Sequence, residues 1–215
     1  MNPNLMFGLS VMNRIKQEIE KTGDNKLLES FIQSYSPNQI SSKLWLVDEL
    51  KKHTLLGIYI DKPFNVEVVG SWFGYPLVFF IREYMFGAQR IVLYDIDDKA
   101  CEICDRYRTY FHDDNIVIKN MDYWKDFSER KDVDVVINTS SEHMKGSHSM
   151  NFVLYDDPIH AIQSNNMAID EHVNLCHSED ELAEKHDFEK ILYKGTKRMN
   201  NGSLDQYRYM VIGKI

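Results

Sequence analysis

Three short stretches of this 215-residue chain carry residue types that can do chemistry, at spacings that would bring them together. In Val68-Val69-Gly70-Ser71-Trp72-Phe73-Gly74, glycines stand at both ends of a G-x-x-x-G turn that follows a β-rich run. Glycine reaches backbone angles that other residues avoid and carries no side chain, so such a turn lets the main chain come close to a ligand. The next β-rich run ends in Leu93-Tyr94-Asp95-Ile96-Asp97. Asp95 follows the glycine turn by about twenty residues, the separation at which a strand-end carboxylate grips the ribose hydroxyls of a nucleotide. Asp97 and Asp98 also precede a helical stretch, so Asp95 has a second reading as a helix N-cap or a solvated turn.

The third stretch, Val135-Val136-Ile137-Asn138-Thr139-Ser140-Ser141-Glu142-His143-Met144, passes from an apolar run into a burst of protic side chains. Glu142 or His143 could act as general base toward a nitrogen or oxygen nucleophile, and the Asn138 amide could hold that nucleophile in line. The alternative is that Ser140 and Ser141 cap a short helix and His143 is simply exposed. Further on, Gln163-Ser164-Asn165-Asn166 places amides at another strand end, where they could face the same cleft or make an ordinary turn.

The elements that must position these residues fall into two regimes. Apolar residues at three- and four-residue intervals predict helices over Leu5 to Lys21, Asn25 to Ser34 and Ser41 to His53, with Leu44, Leu46, Val47 and Leu50 as a buried stripe and Pro37 as the break before the last. From Asn65 onward strands and helices alternate, the pattern of a parallel sheet covered on both faces. The strands are expected at Val66 to Val69, Arg90 to Tyr94, Ile116 to Lys119, Val133 to Asn138 and Ile159 to Ser164. Helices are expected at Pro76 to Met85, Lys99 to Tyr110 and near Ser178 to His186. Two last runs, Phe188 to Tyr193 and Gln206 to Ile212, are expected to form an antiparallel hairpin joined through Gly195 and Asn200-Asn201-Gly202.

Composition narrows the class. Hydrophobic residues at 43% and charged residues at 27% fit a globular chain of one domain, with residues 1–56 as a helical cap. No apolar run approaches the roughly 20 residues of a membrane span, and the first residues lack the pattern of a secretory signal, so the expected compartment is cytoplasmic. Cys101, Cys104 and Cys176 are too few and too scattered for a disulfide framework, and the C-x-x-C pair falls in a helix without a second ligand pair for zinc. A net charge of −8 opposes extended nucleic-acid binding. Lys194, Lys197 and Arg198 are the densest basic group and read as a solvated strand end. His148, His160, His172 and His177 match no metal-ligand spacing, Glu171-His172 being only a fragment of one, so no metal is expected.

The glycine turn, Asp95, the five alternating strands and the terminal hairpin together resemble the class I S-adenosyl-L-methionine (SAM)-dependent methyltransferases. The segment Asn-Thr-Ser-Ser-Glu-His-Met at 138–144 resembles small methyltransferase-like proteins of bacteriophages, over a core from about Val66 to Ile212. The resemblance implies an α/β, Rossmann-like sheet with a strand inserted antiparallel beside the fifth, SAM as cofactor, and methyl transfer to a small molecule or a local site on a larger one. It implies that Gly70, Ser71, Trp72 and Gly74 surround the cofactor, that Asp95 binds its ribose and that Ile96 packs on its adenine. Asp122, after the third strand in Asn120-Met121-Asp122, would accept from the adenine amino group, and Asn138 would line both cofactor and acceptor. Two positions depart from the family pattern: Trp72 replaces a glycine, and Val68 stands where an acidic residue is common, with Glu67 one residue earlier. The Asn-Pro-Pro-aromatic run of base amino-methylating members is absent. Transfer of the aminocarboxypropyl arm, breakdown of SAM and a non-catalytic module of the same fold therefore stand as alternatives. A nicotinamide-dependent dehydrogenase fits less well, because the third glycine of G-x-G-x-x-G is missing.

Overall fold

Seven strands hydrogen-bond into one sheet in the order β3-β2-β1-β4-β5-β7-β6. The computed structural model describes residues 3–54, 63–125, 132–144, 158–199 and 205–215. Among them β1 (Phe64–Val69), β2 (Ala88–Asp95), β3 (Ile116–Asn120), β4 (Val135–Asn138) and β5 (Ile159–Asn165) pair in parallel. β7 (Tyr207–Lys214) runs antiparallel between β5 and β6 (Lys190–Arg198). Residues on alternate sides of each strand feed different cores. Val66, Val68, Ile91, Leu93, Val135, Ile137 and Ala161 join the large core, whereas Val69, Val92, Tyr94 and Val136 face a smaller cluster with Tyr123 and Val133.

The helices α1 (Pro3–Thr22), α2 (Asn25–Ser34), α3 (Pro37–His53), α4 (Leu77–Tyr84) and α5 (Asp98–Phe111) contribute to the large core. Local chemistry sets their ends. Asp24 caps α2 by accepting from Leu27 N at 3.0 Å, and Asp97 caps α5 by accepting from Lys99 N at 2.9 Å and Ala100 N at 3.3 Å. α6 (Glu179–Lys185) starts at Ser178, whose hydroxyl accepts from Glu181 N at 3.0 Å, and three acidic residues in its first turn suit the positive end of the helix.

Three expectations are corrected. Pro37 does not break the chain ahead of a later helix: it occupies the first turn of α3, where its missing N–H is no loss and Ser36 supplies the cap, so α3 begins four residues earlier than expected. Gly195 is not a hairpin joint but lies inside β6, opposite Met210, where the Tyr193 side chain fills the space a Cβ would take. β4 begins at Val135, because Asp132 takes a left-handed turn (φ 64°) and the Asp134 carboxylate accepts from Asn65 N at 2.7 Å. Asn200-Asn201-Gly202 and His148 lie outside the described residues.

Candidate active site

The strand order reverses direction between β1 and β4, and in such sheets ligands sit in the crevice at the carboxyl ends of the strands beside that switch point. All three chemistry-bearing stretches of the sequence arrive there. After β1, Gly70, Trp72 and Gly74 all have left-handed backbone (φ 60°, 51° and 69°). A Cβ on Gly70 would stand 2.5 Å from Met144 Cε, and one on Gly74 would meet Leu93 Cδ1 at 2.8 Å and Cys104 Sγ at 3.2 Å. The first glycine thus lets the loops after β1 and β4 meet, where Ser140 Oγ also donates to Gly70 O at 3.3 Å, and the second lets the loop pack on β2 and α5. Trp72 adopts the conformation a glycine would take there. Its indole stacks on Phe73 with ring centroids 5.1 Å apart and donates to Ser30 Oγ at 3.2 Å.

Asp95 ends β2 against this loop. Its Oδ2 accepts from Trp72 N at 2.6 Å and its Oδ1 from Asp97 N at 3.0 Å. Burial pushes its pKa up, while the backbone N–H groups of Asp97 and Trp72 pull it back. The N-cap role belongs to Asp97, so Asp95 is not spent on the helix. Beside it Ile96 is 77% exposed, an apolar side chain facing solvent next to a strand-end carboxylate. Asp122 is partly exposed, accepts from Trp124 N at 3.0 Å and pairs with Lys125 Nζ at 3.3 Å. Glu67 faces the smaller cluster, where its Oε1 accepts from Tyr94 Oη at 3.3 Å, so it does not stand in for the acidic residue that Val68 replaces. Ser71 N donates to Tyr94 O at 2.9 Å, tying the loop to β2.

Past β4, buried Asn138 accepts from Ser140 N at 3.0 Å and points its amide nitrogen at Met144 Sδ, 3.3 Å away. Ser141, Glu142 and His143 form one 3-10 turn. Glu142 is buried; its Oε1 accepts from Asn165 Nδ2 at 2.5 Å and lies 3.8 Å from Arg208 Nη1, while Oε2 has no hydrogen-bond partner. His143 is exposed, with Nδ1 3.2 Å from Glu171 O and its ring edge-to-face with His172 at 4.6 Å. Of the strand-end amides only Asn165 reaches Glu142. Gln163 is locked deeper against Ser42, accepting from its hydroxyl at 2.9 Å, and Asn166 Oδ1 accepts from Tyr207 N at 2.9 Å.

Sequence reasoning missed two buried cations near Glu142. Arg208 enters from β7 and donates to Thr139 O at 3.3 Å. Lys43 enters from α3 and donates to Gln39 Oε1 at 2.5 Å; burial, then the Arg208 charge, lowers its pKa to about 7, against the pull of Glu142. Their sequence signal is weak: each is a charge on a mainly apolar face, which periodicity counts only as a lapse.

Sequence comparison matches no protein-family model and no curated protein. Solved structures match in fold. A geranyl diphosphate methyltransferase in complex with SAM aligns with TM-score 0.60 and 11% identity, over 82% of this chain and 85% of its own. A SAM-dependent methyltransferase from Aquifex aeolicus aligns at 0.56 and 15%, over 79% and 89%. The cyclase SpnF aligns at 0.62 and 12%, over 80% of each chain, so proteins named for another chemistry share the architecture. The chain has the Rossmann-like fold of the class I SAM-dependent methyltransferases.

Proposed function

We propose that this protein is a SAM-dependent methyltransferase acting on a nucleophilic acceptor, a small molecule or a local site on a larger one. The observation that carries the reading is Asp95: a half-buried strand-end carboxylate at the switch point, braced by a left-handed glycine loop. The donor chemistry there suits an adenosine. Two oxygens offer four lone pairs, so beyond its backbone donors Asp95 can still accept from a ribose hydroxyl, and exposed Ile96 offers an apolar face to the base. Asp122, at the end of β3, is the candidate reader of the adenine amino group. Gly70, Ser71, Trp72 and Gly74 would surround the rest, with Trp72 filling part of the space the usual glycine leaves open. SAM, when bound, supplies an electrophilic methyl group on a sulfonium.

The loop after β4 supplies acceptor chemistry. Asn138 and Ser140 fix the turn, Asn165 and Arg208 hold Glu142, and exposed His143 is accessible to proton exchange with solvent. Methyl transfer requires alignment and removal of one acceptor proton, and Glu142 or His143 serves that second need. The three cysteines are free and buried, which fits a reducing cytoplasm. No described helix is long and apolar enough to cross a membrane.

Calorimetric titration with SAM, S-adenosylhomocysteine, methylthioadenosine and NAD tests the reading, with chromatography of SAM after incubation. Saturable binding of the first two, with SAM intact until an acceptor is added, is the expected result. Methylthioadenosine released without an acceptor would replace methyl transfer by cleavage of the other arm, and failure of every adenosine compound to bind would leave a non-catalytic module.

A further inference from the structure

Glu142 and His143, on the turn after β4, meet His172, on the chain after β5, although the sequence gives no hint of the pairing. One ligand-capable atom from each of the three lies within 4.8 Å of the others. We propose that Glu142, His143 and His172 bind one divalent transition-metal ion of the manganese-to-zinc series, with positions left open for an acceptor hydroxyl.

Four observations carry this. First, the imidazoles are set in the tautomer a metal needs. Nδ1 of His143 faces Glu171 O at 3.2 Å, and Nδ1 of His172 faces Met167 O at 2.7 Å. A carbonyl only accepts, so each Nδ1 carries a proton and Nε2 is the ring nitrogen left for a ligand, the same backbone-carbonyl support that metal-bound histidines receive. Second, Glu142 is buried with Oε2 lacking a hydrogen-bond partner, whereas Asn165 and Arg208 both address Oε1. A buried carboxylate oxygen without a partner is costly, and a cation satisfies it. Third, the two loops are fastened together at this point: Val173 N and Asn174 N donate to Glu142 O at 2.8 and 3.0 Å, and this holds His172 beside the turn. Fourth, ligands about 2.0–2.2 Å from an ion stand roughly 3.0–3.5 Å apart, so the three side chains, whose nearest ligand-capable atoms lie within 4.8 Å, must draw closer to share one, and exposed His143 has room to move.

The donor set chooses the ion. Two imidazoles and one carboxylate suit the borderline transition metals and disfavour magnesium and calcium, which prefer all-oxygen shells. Three protein ligands leave the remaining positions to water or substrate. With Glu142 and His143 engaged as ligands, the ion would take over the part they play as free bases: a hydroxyl bound there would be acidified, would give its proton to solvent and would keep a lone pair as a nucleophile. The acceptor assignment rests on the methyltransferase reading; the metal site does not. It makes the acceptor an alcohol or phenol oxygen rather than an amine.

Tag-free full-length protein is stripped with EDTA and titrated with Co2+, followed by visible d–d absorption and calorimetry, with Mg2+ as comparison. One equivalent of Co2+ should bind, at least about 100-fold tighter than Mg2+. His172→Ala should weaken Co2+ at least about tenfold, while His177→Ala, at an exposed position just before α6, leaves it unchanged. If His172→Ala alters the circular dichroism, exposed His143→Ala carries the same expectation. Absence of saturable Co2+ binding, or binding by His172→Ala and His143→Ala with wild-type affinity, overturns the site. S-adenosylhomocysteine titrated into the same stripped protein keeps the two readings apart: its binding without Co2+ binding refutes the metal alone, and Co2+ binding without it refutes the methyltransferase reading and its acceptor.

Discussion

Replacing Asp95 by asparagine separates cofactor recognition from loop bracing. The carboxylate accepts from Trp72 N at 2.6 Å on one oxygen and from Asp97 N at 3.0 Å on the other, with a weaker pull from Ile96 N–H. An amide keeps the shape but offers one accepting oxygen, so one backbone donor faces an NH2 group instead. Leaving such a donor unmatched costs about 1–3 kcal/mol, reduced here because the neutral amide escapes the burial penalty that raises the Asp95 pKa. A net destabilisation of about 1–2 kcal/mol should leave the protein folded. The ligand loses more in relative terms, because a ribose diol wants two acceptors in one plane. Losing one hydroxyl bond to a charged group, worth about 1.5–3 kcal/mol, corresponds to roughly a 10- to 100-fold weaker dissociation constant. Calorimetric titration with S-adenosylhomocysteine, beside urea unfolding of both proteins, measures the two effects. Wild-type affinity in a folded Asp95→Asn protein would refute the assignment of Asp95 to the ribose.

Other expectations follow from the same geometry. Burial raises the Asp95 pKa above its unfolded value, so its protonation favours the folded state and its contribution to stability declines as pH rises between the two values; nucleotide binding needs the charged form and should fall as pH drops through the raised pKa, read by titration with S-adenosylhomocysteine across the acidic range. Lys43, lowered to about 7 from 10.5, is charged in both states at acid pH and destabilises fully there; the penalty is relieved as pH climbs from about 7 to 10.5. Lys43→Met should accordingly gain about 1–4 kcal/mol near neutrality in urea unfolding and lose that alkaline rise. Gly74→Ala forces a Cβ to 2.8 Å from Leu93 Cδ1 at φ 69° and should cost about 2–4 kcal/mol, seen as a lower urea midpoint with unchanged slope.

What could be read from the sequence was what local chemistry encodes. The G-x-x-x-G turn, the carboxylate at the end of β2 and the strand alternation each rest on a short stretch, and each appears where its spacing placed it. Gly195 misled because glycine is also used where a neighbouring side chain, here Tyr193, needs room within a strand. Pro37 misled because the residue that stops a helix inside it also starts one at its first turn. The environment of Glu142 was hidden for a different reason. Lys43, Asn165, His172 and Arg208 come from α3, β5, the chain after β5, and β7, and only the order in which the strands assemble makes them neighbours. Gln163 and Asn165 show the limit within one strand. They share a side of β5, yet depth decides that one is bound into the core by Ser42 and the other reaches Glu142.

A crystal structure with S-adenosylhomocysteine tests the central claim most directly. The account predicts the ligand at the carboxyl ends of β1, β2 and β4, with its ribose hydroxyls on Asp95 and its adenine against Ile96. A ligand seated away from the Gly70–Gly74 loop, or crystals that take up none at saturating concentration, would contradict it.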